Sequence, residues 1–390
     1  MVKRLEMARV LVKNVGLMVS GDIKAPVLEA DSLTIEDGKI KEIGQGLSAP
    51  DGGTIIDAGG GAVCPGLIDS HCHVVLGDYT PRQQMLSFLD SSLHGGVTTS
   101  ISAGEVHLPG RPKDPAGVKA LAILAAKSWA NFRPGGMKVL GGSVILEKGL
   151  TEADFDEMAR EGVKIVGEIG LGSVKDPDEA AEMCGWAKKR GMVVMMHSGG
   201  TSIPGSSVVG ADQITKVNPS VISHINGGPT AMSFEEAKRV VDETNAAVEI
   251  VQCGNVRRAA QVAGLMKERD ELDRLVLGND APSGTGVVTL GILRNLSWLA
   301  SLGGIDPALA MCAATGNTAQ LYGLNRGRIS QGLEADLVFL DTPMGSSGTD
   351  LFSCLEEGDT PGVSLIMVDG NVVATKSRNT PPPVRKAQVL

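Results

Sequence analysis

Aromatic residues make up only 3% of the chain, and its six cysteines, Cys64, Cys72, Cys184, Cys253, Cys312 and Cys354, are scattered without a C-x-x-C pair. That spacing excludes a disulfide framework or a zinc ribbon and reads as reduced thiols. No apolar run approaches the roughly 18 residues of a transmembrane helix. In Met1 to Asn14, MVKRLEMARVLVKN, charges interrupt every apolar stretch before a signal-peptide core can form. The expectation is a cytoplasmic protein that neither spans nor binds a membrane. An excess of positive charge is also missing. With 36 Lys+Arg against 45 Asp+Glu the net charge is -9, so there is no basic stripe for nucleic acid or anionic lipid. A small-molecule partner is favoured.

What is abundant is glycine, 51 residues, in a chain that is 42% hydrophobic with a mean hydropathy of +0.08. Many tight turns must therefore join elements packed by aliphatic side chains, as in α/β enzymes. The 390 residues suffice for one barrel of about 250 residues plus something smaller.

From residue 62 onward, Val/Ile-rich runs recur, each ending in polar residues and Gly: 62–73, 96–104, 137–146, 162–170, 191–199, 219–227, 246–254 and 275–283. Between them lie stretches with helical spacing. One is 176–190, DPDEAAEMCGWAKKR, acidic at its start and basic at its end, as the helix dipole prefers. Strand then helix, eight times over, predicts a parallel sheet closed into a (β/α)8 TIM barrel of the α/β class over 62–324. An open doubly wound sheet is the alternative. Residues 1–61 read instead as antiparallel hairpins turning at Asp-Gly and Gly-Gly, and the same texture returns after about residue 325. The two ends, 1–61 and 325–390, are expected to pair into a small β-sandwich domain, with the proline-rich NTPPPVRKAQVL as an extended tail.

The first run closes on PGLIDSHCH, whose His71 and His73, two apart, project from one face of a strand end. H-x-H alone is weak evidence. Glu168, His197, His224 and Asp280, however, sit at the ends of the fourth, fifth, sixth and eighth runs, spaced by 29, 27 and 56 residues, close to one, one and two βα units. Such spacing puts all six groups on the C-terminal rim, where barrel active sites are built. Imidazole and carboxylate suit zinc, iron or similar divalent ions, and six donors exceed one tetrahedral site. Two metals sharing a carboxylate is the economical reading. Lys164 and Glu168 share a strand face by alternation; Glu168, nearer the rim, is the better bridge, and Lys164 lies deeper or near the barrel bottom. His94, beside Gly-Gly, reads as a helix-capping residue, and His107 as a residue that either faces substrate or does not.

PGLIDSHCH, the strand-end histidines, the aspartate of GNDAPSG and the closing GRISQGLEADLVFLD together resemble the amidohydrolase superfamily. Within it, DYTPRQ, HGGVTTSISAG, GRPKDPAG, GGSVILEKGLTE, HSGGTSIPGSS, SHINGGPTA, EIVQCGN, GNDAPSGTG and TKSRNTPP are similar to the enamidases of bacterial nicotinate fermentation, over nearly the whole chain. The resemblance implies His71, His73 and Asp280 on one metal, His197 and His224 on the other, and Glu168 as bridge. It also implies zinc and iron(II) as the two divalent ions, and a homotetramer. The arginine that dihydroorotases carry two residues after H-x-H is Val75 here, and the carboxylated-lysine bridge of hydantoinases is replaced by Glu168.

The activity implied is hydrolysis of 6-oxo-1,4,5,6-tetrahydronicotinate, a small anionic cyclic amide, to 2-formylglutarate and ammonia by a metal-bridged hydroxide, with Asp280 as proton shuttle. Candidates for holding the substrate are Arg82, Arg111, Lys113 and His107, or hydrogen-bond donors of Gly200, Thr201 and Ser202. Another cyclic amidohydrolase, acting on a lactam, imide or hydantoin, and a non-catalytic metal-binding relative remain the alternatives.

Overall fold

The computed structural model describes residues 9–76, 79–80, 85–104, 108, 110–202, 205–228, 230–281 and 286–390, with only the backbone at 79–80 and 85–86. Arg82 and His107 lie outside the described residues.

The eight apolar runs each contain a strand of one barrel: Leu67–Cys72, Val97–Ser102, Lys138–Leu140 with Ser143–Val144, Ile165–Ile169, Val193–Met196, Val221–Ile222, Ala247–Val251 and Leu275–Gly278. All neighbouring pairs run parallel. The third strand is broken between Leu140 and Ser143, its first part pairing backward to the second strand and its second part forward to the fourth. The ring closes where the Asp280 N–H donates to the His71 carbonyl and the His73 N–H to that of Ala281, at 2.8 and 2.9 Å. Ile68, Ile101, Ile165, Met195, Val221 and Val276 fill the interior. Helices cover the outside. The one read from DPDEAAEMCGWAKKR spans Pro177–Lys189, capped by Asp176, whose carboxylate accepts the N–H groups of Asp178 and Glu179.

Simple alternation fails on the fourth strand. Ile165 packs inward while Val166 belongs to the outer layer facing the helices. A register shift between Val166 and Ile169 then carries Glu168 inward. Lys164 and Glu168 therefore do not share a face. Lys164 is exposed at the start of the strand, its carbonyl accepting the N–H of Val193. Gly167 permits the shift, because a Cβ there would stand 2.6 Å from the carbonyl oxygen of Ala103.

The chain ends form two sheets. One runs in the order Gln388–Val389, Thr54–Asp57, Arg9–Lys13, Ser32–Glu36, Lys39–Gly44. The other runs Asn371–Ala374, Gly362–Val368, Leu337–Asp341, Ala62–Pro65, Leu17–Val19, Val27–Leu28. Val10, Leu33, Ile35 and Ile56 of the first pack against Met18, Val63, Leu337, Phe339 and Met367 of the second. The expected hairpins are present, yet Arg9–Lys13 pairs with Thr54–Asp57, and Leu17–Val19 with Ala62–Pro65, in parallel. The first apolar run thus divides at Gly66, its beginning in the sandwich and its end in the barrel. His94 caps the helix Phe88–Leu93, and its carbonyl and ring accept hydrogen bonds from Ser377 and Arg378 near the tail. All six cysteines are buried thiols. Among the described residues no helix is long and apolar enough to cross a membrane.

Candidate metal centre

His71, His73, Glu168, His197, His224 and Asp280 are all buried at the C-terminal ends of their strands. Their donor atoms form two groups, His71 with His73 and Asp280, and Glu168 with His197 and His224, the atoms of each lying within 4.8 Å of one another. Glu168 reaches into both. Its Oε1 faces His224 Nε2 at 2.6 Å and His197 Nδ1 at 3.9 Å, whereas its Oε2 faces His71 Nε2 at 3.5 Å and His73 Nε2 at 3.7 Å. Asp280 Oδ1 lies 3.1 Å from His73 Nε2 and 3.6 Å from His71 Nε2.

Backbone turns aim two of these groups. His224 and Asp280 have φ of 36° and 55°, in the left-handed region that costs a non-glycine residue about 1–3 kcal/mol. Long-range contacts hold the turns in place. The Asp280 N–H is anchored on His71, as described for ring closure, and Asp69 Oδ1 accepts the N–H groups of both His71 and Asn279, at 3.1 and 2.9 Å. Burial pushes the Asp69 carboxyl up to about 7 despite those bonds.

The outward ring nitrogens set the tautomers. His71 Nδ1 lies 2.7 Å from Glu249 Oε2, His73 Nδ1 3.4 Å from the Gly104 carbonyl, and His197 Nε2 2.7 Å from the Gly200 carbonyl. Each of these acceptors takes an N–H, so in the neutral ring the other nitrogen presents a lone pair to the centre. The lone pairs of His71 Nε2 and His73 Nε2 then stand 3.3 Å apart, an arrangement that repels unless a proton or a cation lies between. Burial, with the neighbouring His224, lowers the His197 pKa to about 4, which keeps its imidazole neutral. Burial opposes the charge of Glu168, but the imidazoles of His71 and His224 outweigh it and hold the carboxyl well below its ordinary range. Imidazole nitrogens, those of His197 held neutral, converging with ionised carboxylates are the donor set of borderline divalent cations, and the residues present fit two of them.

A third cluster of acids, Glu334, Asp336 and Asp369, is already paired with the buried Lys138 ammonium at 2.7, 2.9 and 2.6 Å, and with Arg326 and Arg133. Of the residues considered for substrate, Arg111 is held, half-buried, in an ion pair with Glu147 at 2.8 Å. Lys113 is exposed. The Gly200 N–H donates to the Thr230 carbonyl and that of Ser202 to Ser206 Oγ, while Thr201 is exposed. Glu249 was not singled out by sequence reasoning. Its only signal is an acid in the middle of the apolar strand AVEIV.

The model of the Amidohydrolase family matches residues 62–373. The chain is similar to the enamidase of Eubacterium barkeri, with 57% identity over 386 residues that cover 98% of this chain and 100% of that protein. It is also similar to a dihydroorotase of Geobacter sp. (strain M21), 32% identical over 177 residues, 45% of this chain and 40% of that one. The crystal structure of enamidase superposes with a TM-score of 0.96 at 57% identity, covering 98% and 100% of the two chains. A beta-aspartyl dipeptidase from Fervidobacterium islandicum AW-1 superposes with a TM-score of 0.67 at 16% identity over 95% and 97%, a likeness of fold alone.

Proposed function

The chain belongs to the amidohydrolase family, and from that premise we propose that it is an enamidase, hydrolysing 6-oxo-1,4,5,6-tetrahydronicotinate to 2-formylglutarate and ammonia. The observation that carries this reading is the Glu168 carboxylate, whose two oxygens face two separate sets of imidazoles. His71, His73 and Asp280 would hold one divalent ion, His197 and His224 the other, and Glu168 both. Zinc and iron(II) are the proposed pair.

Two such cations, when bound, lower the pKa of water toward neutrality and polarise an amide carbonyl. The protein's own part is proton movement and placement. Asp280 Oδ1 is directed at His73, leaving Oδ2 beside Gly228, where even a Cβ would stand 3.5 Å away. That second oxygen is suited to take the proton of the attacking water and deliver it to the ring nitrogen as the amide bond breaks. The enamine released would tautomerise and hydrolyse, freeing ammonia.

The substrate carboxylate needs a donor that keeps it off the metal pair. With Arg111 already held by Glu147, we assign that role to Arg82, with His107 and the loop of Gly200, Thr201 and Ser202 completing the pocket. We further propose a cytoplasmic homotetramer in which the two chain ends, 1–61 and 325–390 with Ala62–Pro65 added to them, form a composite β-sandwich domain beside the barrel.

Ammonia release from purified protein tests the reading. The expected outcome is turnover of 6-oxo-1,4,5,6-tetrahydronicotinate and far weaker action on the lactam lacking the ring carboxylate, whose absence leaves the pocket's donors unpaired. Arg82→Met should lower kcat/KM for the acid and leave the lactam rate unchanged. Equal wild-type rates on both compounds would refute carboxylate recognition. Preference for hydantoin or dihydropyrimidine rings would replace the assignment with another cyclic amidohydrolase.

A further inference from the structure

Outside the six donors, the most heavily engaged group at the centre is Glu249 on the seventh barrel strand, with 0% exposure. Its Oε1 accepts a hydrogen bond from Ser70 Oγ at 2.5 Å. Its Oε2 accepts two, from His71 Nδ1 at 2.7 Å and from the backbone N–H of His224 at 3.2 Å. The main-chain carbonyl of Glu249 also accepts the N–H of Ile225 at 2.9 Å. One residue therefore fixes the ring of His71 through the nitrogen that faces away from the centre. It also grips two consecutive peptide N–H groups at the left-handed turn that aims His224.

We propose that Glu249 is a positioning residue that ties the two metal positions together, holding a ligand side chain of one and the backbone of a ligand of the other. The proposal rests on the two-metal reading above. An imidazole hydrogen-bonded to a carboxylate through its second nitrogen is a common way to orient a ligand and raise its basicity. Glu249 differs in extending that hold across strands, from the first, through Ser70 and His71, to the sixth, through His224. A φ of 36° at His224 is disfavoured for a residue with a Cβ, so the turn needs an external acceptor at its N–H. Without that acceptor, the His224 ring would lose its aim toward Glu168, and His71 would lose its fixed tautomer at the same time.

Two variants separate charge from shape. Glu249→Gln keeps the volume, and its amide oxygen can still accept from His71 and His224 while its NH2 donates to Ser70 Oγ. Glu249→Val matches the strand and removes all three side-chain bonds. Protein loaded with two divalent ions per chain is equilibrated against rising chelator and its remaining metal is measured, while the visible bands of the cobalt(II)-loaded protein report the surroundings of each position. Glu249→Val is expected to release both ions at least about tenfold more readily than wild type, with Glu249→Gln intermediate and the cobalt bands of both positions shifted. Circular dichroism of metal-free Glu249→Gln should match that of metal-free wild type, which removes misfolding as the cause. If Glu249→Val does not fold, Glu249→Gln decides alone. Weakening at both positions supports the coupling; retention at wild-type strength, or loosening of one ion only, overturns it. A wild-type chain that holds fewer than two ions would overturn the two-metal reading itself and the coupling with it.

Discussion

Glu168 Oε1 stands 2.6 Å from His224 Nε2, while the other oxygen of the same carboxylate turns toward His71 and His73 on the first strand. Among the described residues no other donor at the centre reaches from one group to the other in this way. A carboxylate in that position can neutralise part of the charge of two cations at once, which a neutral amide cannot do. Glu168→Gln is therefore expected to lower the metal content to one ion per chain or fewer and to abolish turnover. Lys164→Met should leave two ions bound, because Lys164 is exposed at the far end of the strand. Metal analysis of both variants decides between them, and the reverse pattern would make Lys164 the bridge.

Lys138 gives a prediction about stability. Its ammonium lies among Glu334, Asp336 and Asp369 where the third barrel strand meets the sandwich, and Asp336 is 2% exposed. Lys138→Met leaves three carboxylates facing one another with Arg326 and Arg133 at the margin, and should cost about 3 kcal/mol in denaturant unfolding. The pH dependence follows from linkage. Burial already raises the Asp336 pKa above its ordinary value even beside Lys138, and removing the lysine raises it further in the folded state and takes away the ammonium that helps hold Glu334 and Asp369 below theirs. Folded protein then binds more protons than unfolded protein, so the deficit of the variant should shrink as pH falls from 7 toward 5. A deficit that stays constant over that range would exclude the charge cluster as its origin.

Much of the architecture is legible because the barrel repeats a local pattern. Apolar runs that end in polar residues and glycine mark strands and rim together, so the six donors that the structure brings together could be read from spacing alone. What the sequence hides depends on contacts between distant segments. The inward turn of Glu168 follows from a register shift against the fifth strand, enabled by the approach of Gly167 to Ala103. Alternation, applied from Lys164, predicts the wrong shared face. Arg111 looks like a free loop cation until Glu147, from the end of the third strand, is found beside it. Glu249 is a lone acid among valine and isoleucine, and only the fold brings Ser70, His71 and His224 to it. The parallel pairings of Arg9–Lys13 and Leu17–Val19 are equally long-range, since hairpin texture encodes only the neighbours in sequence.

Asp280 combines a metal-ligand geometry with a proton-transfer one, and its two oxygens divide those duties. Oδ1 points at His73 Nε2 at 3.1 Å, and Oδ2 lies next to Gly228. The imidazoles of His73, His71 and His224 outweigh the burial of Asp280 and lower its pKa, so the group is an ionised acceptor at neutral pH. Asp280→Asn preserves the shape and an oxygen that can still face His73, but removes the capacity to accept and return a proton. Turnover should fall by at least about 100-fold, within the range attributed to a positioned general base. If proton transfer is the main loss, kcat falls while KM changes little, and the metal content stays near two ions per chain. If ligation is the main loss, metal content falls with the rate and excess divalent ion restores part of it. Measuring both in the same preparation separates the two duties, and near-normal turnover would exclude Asp280 as the proton carrier.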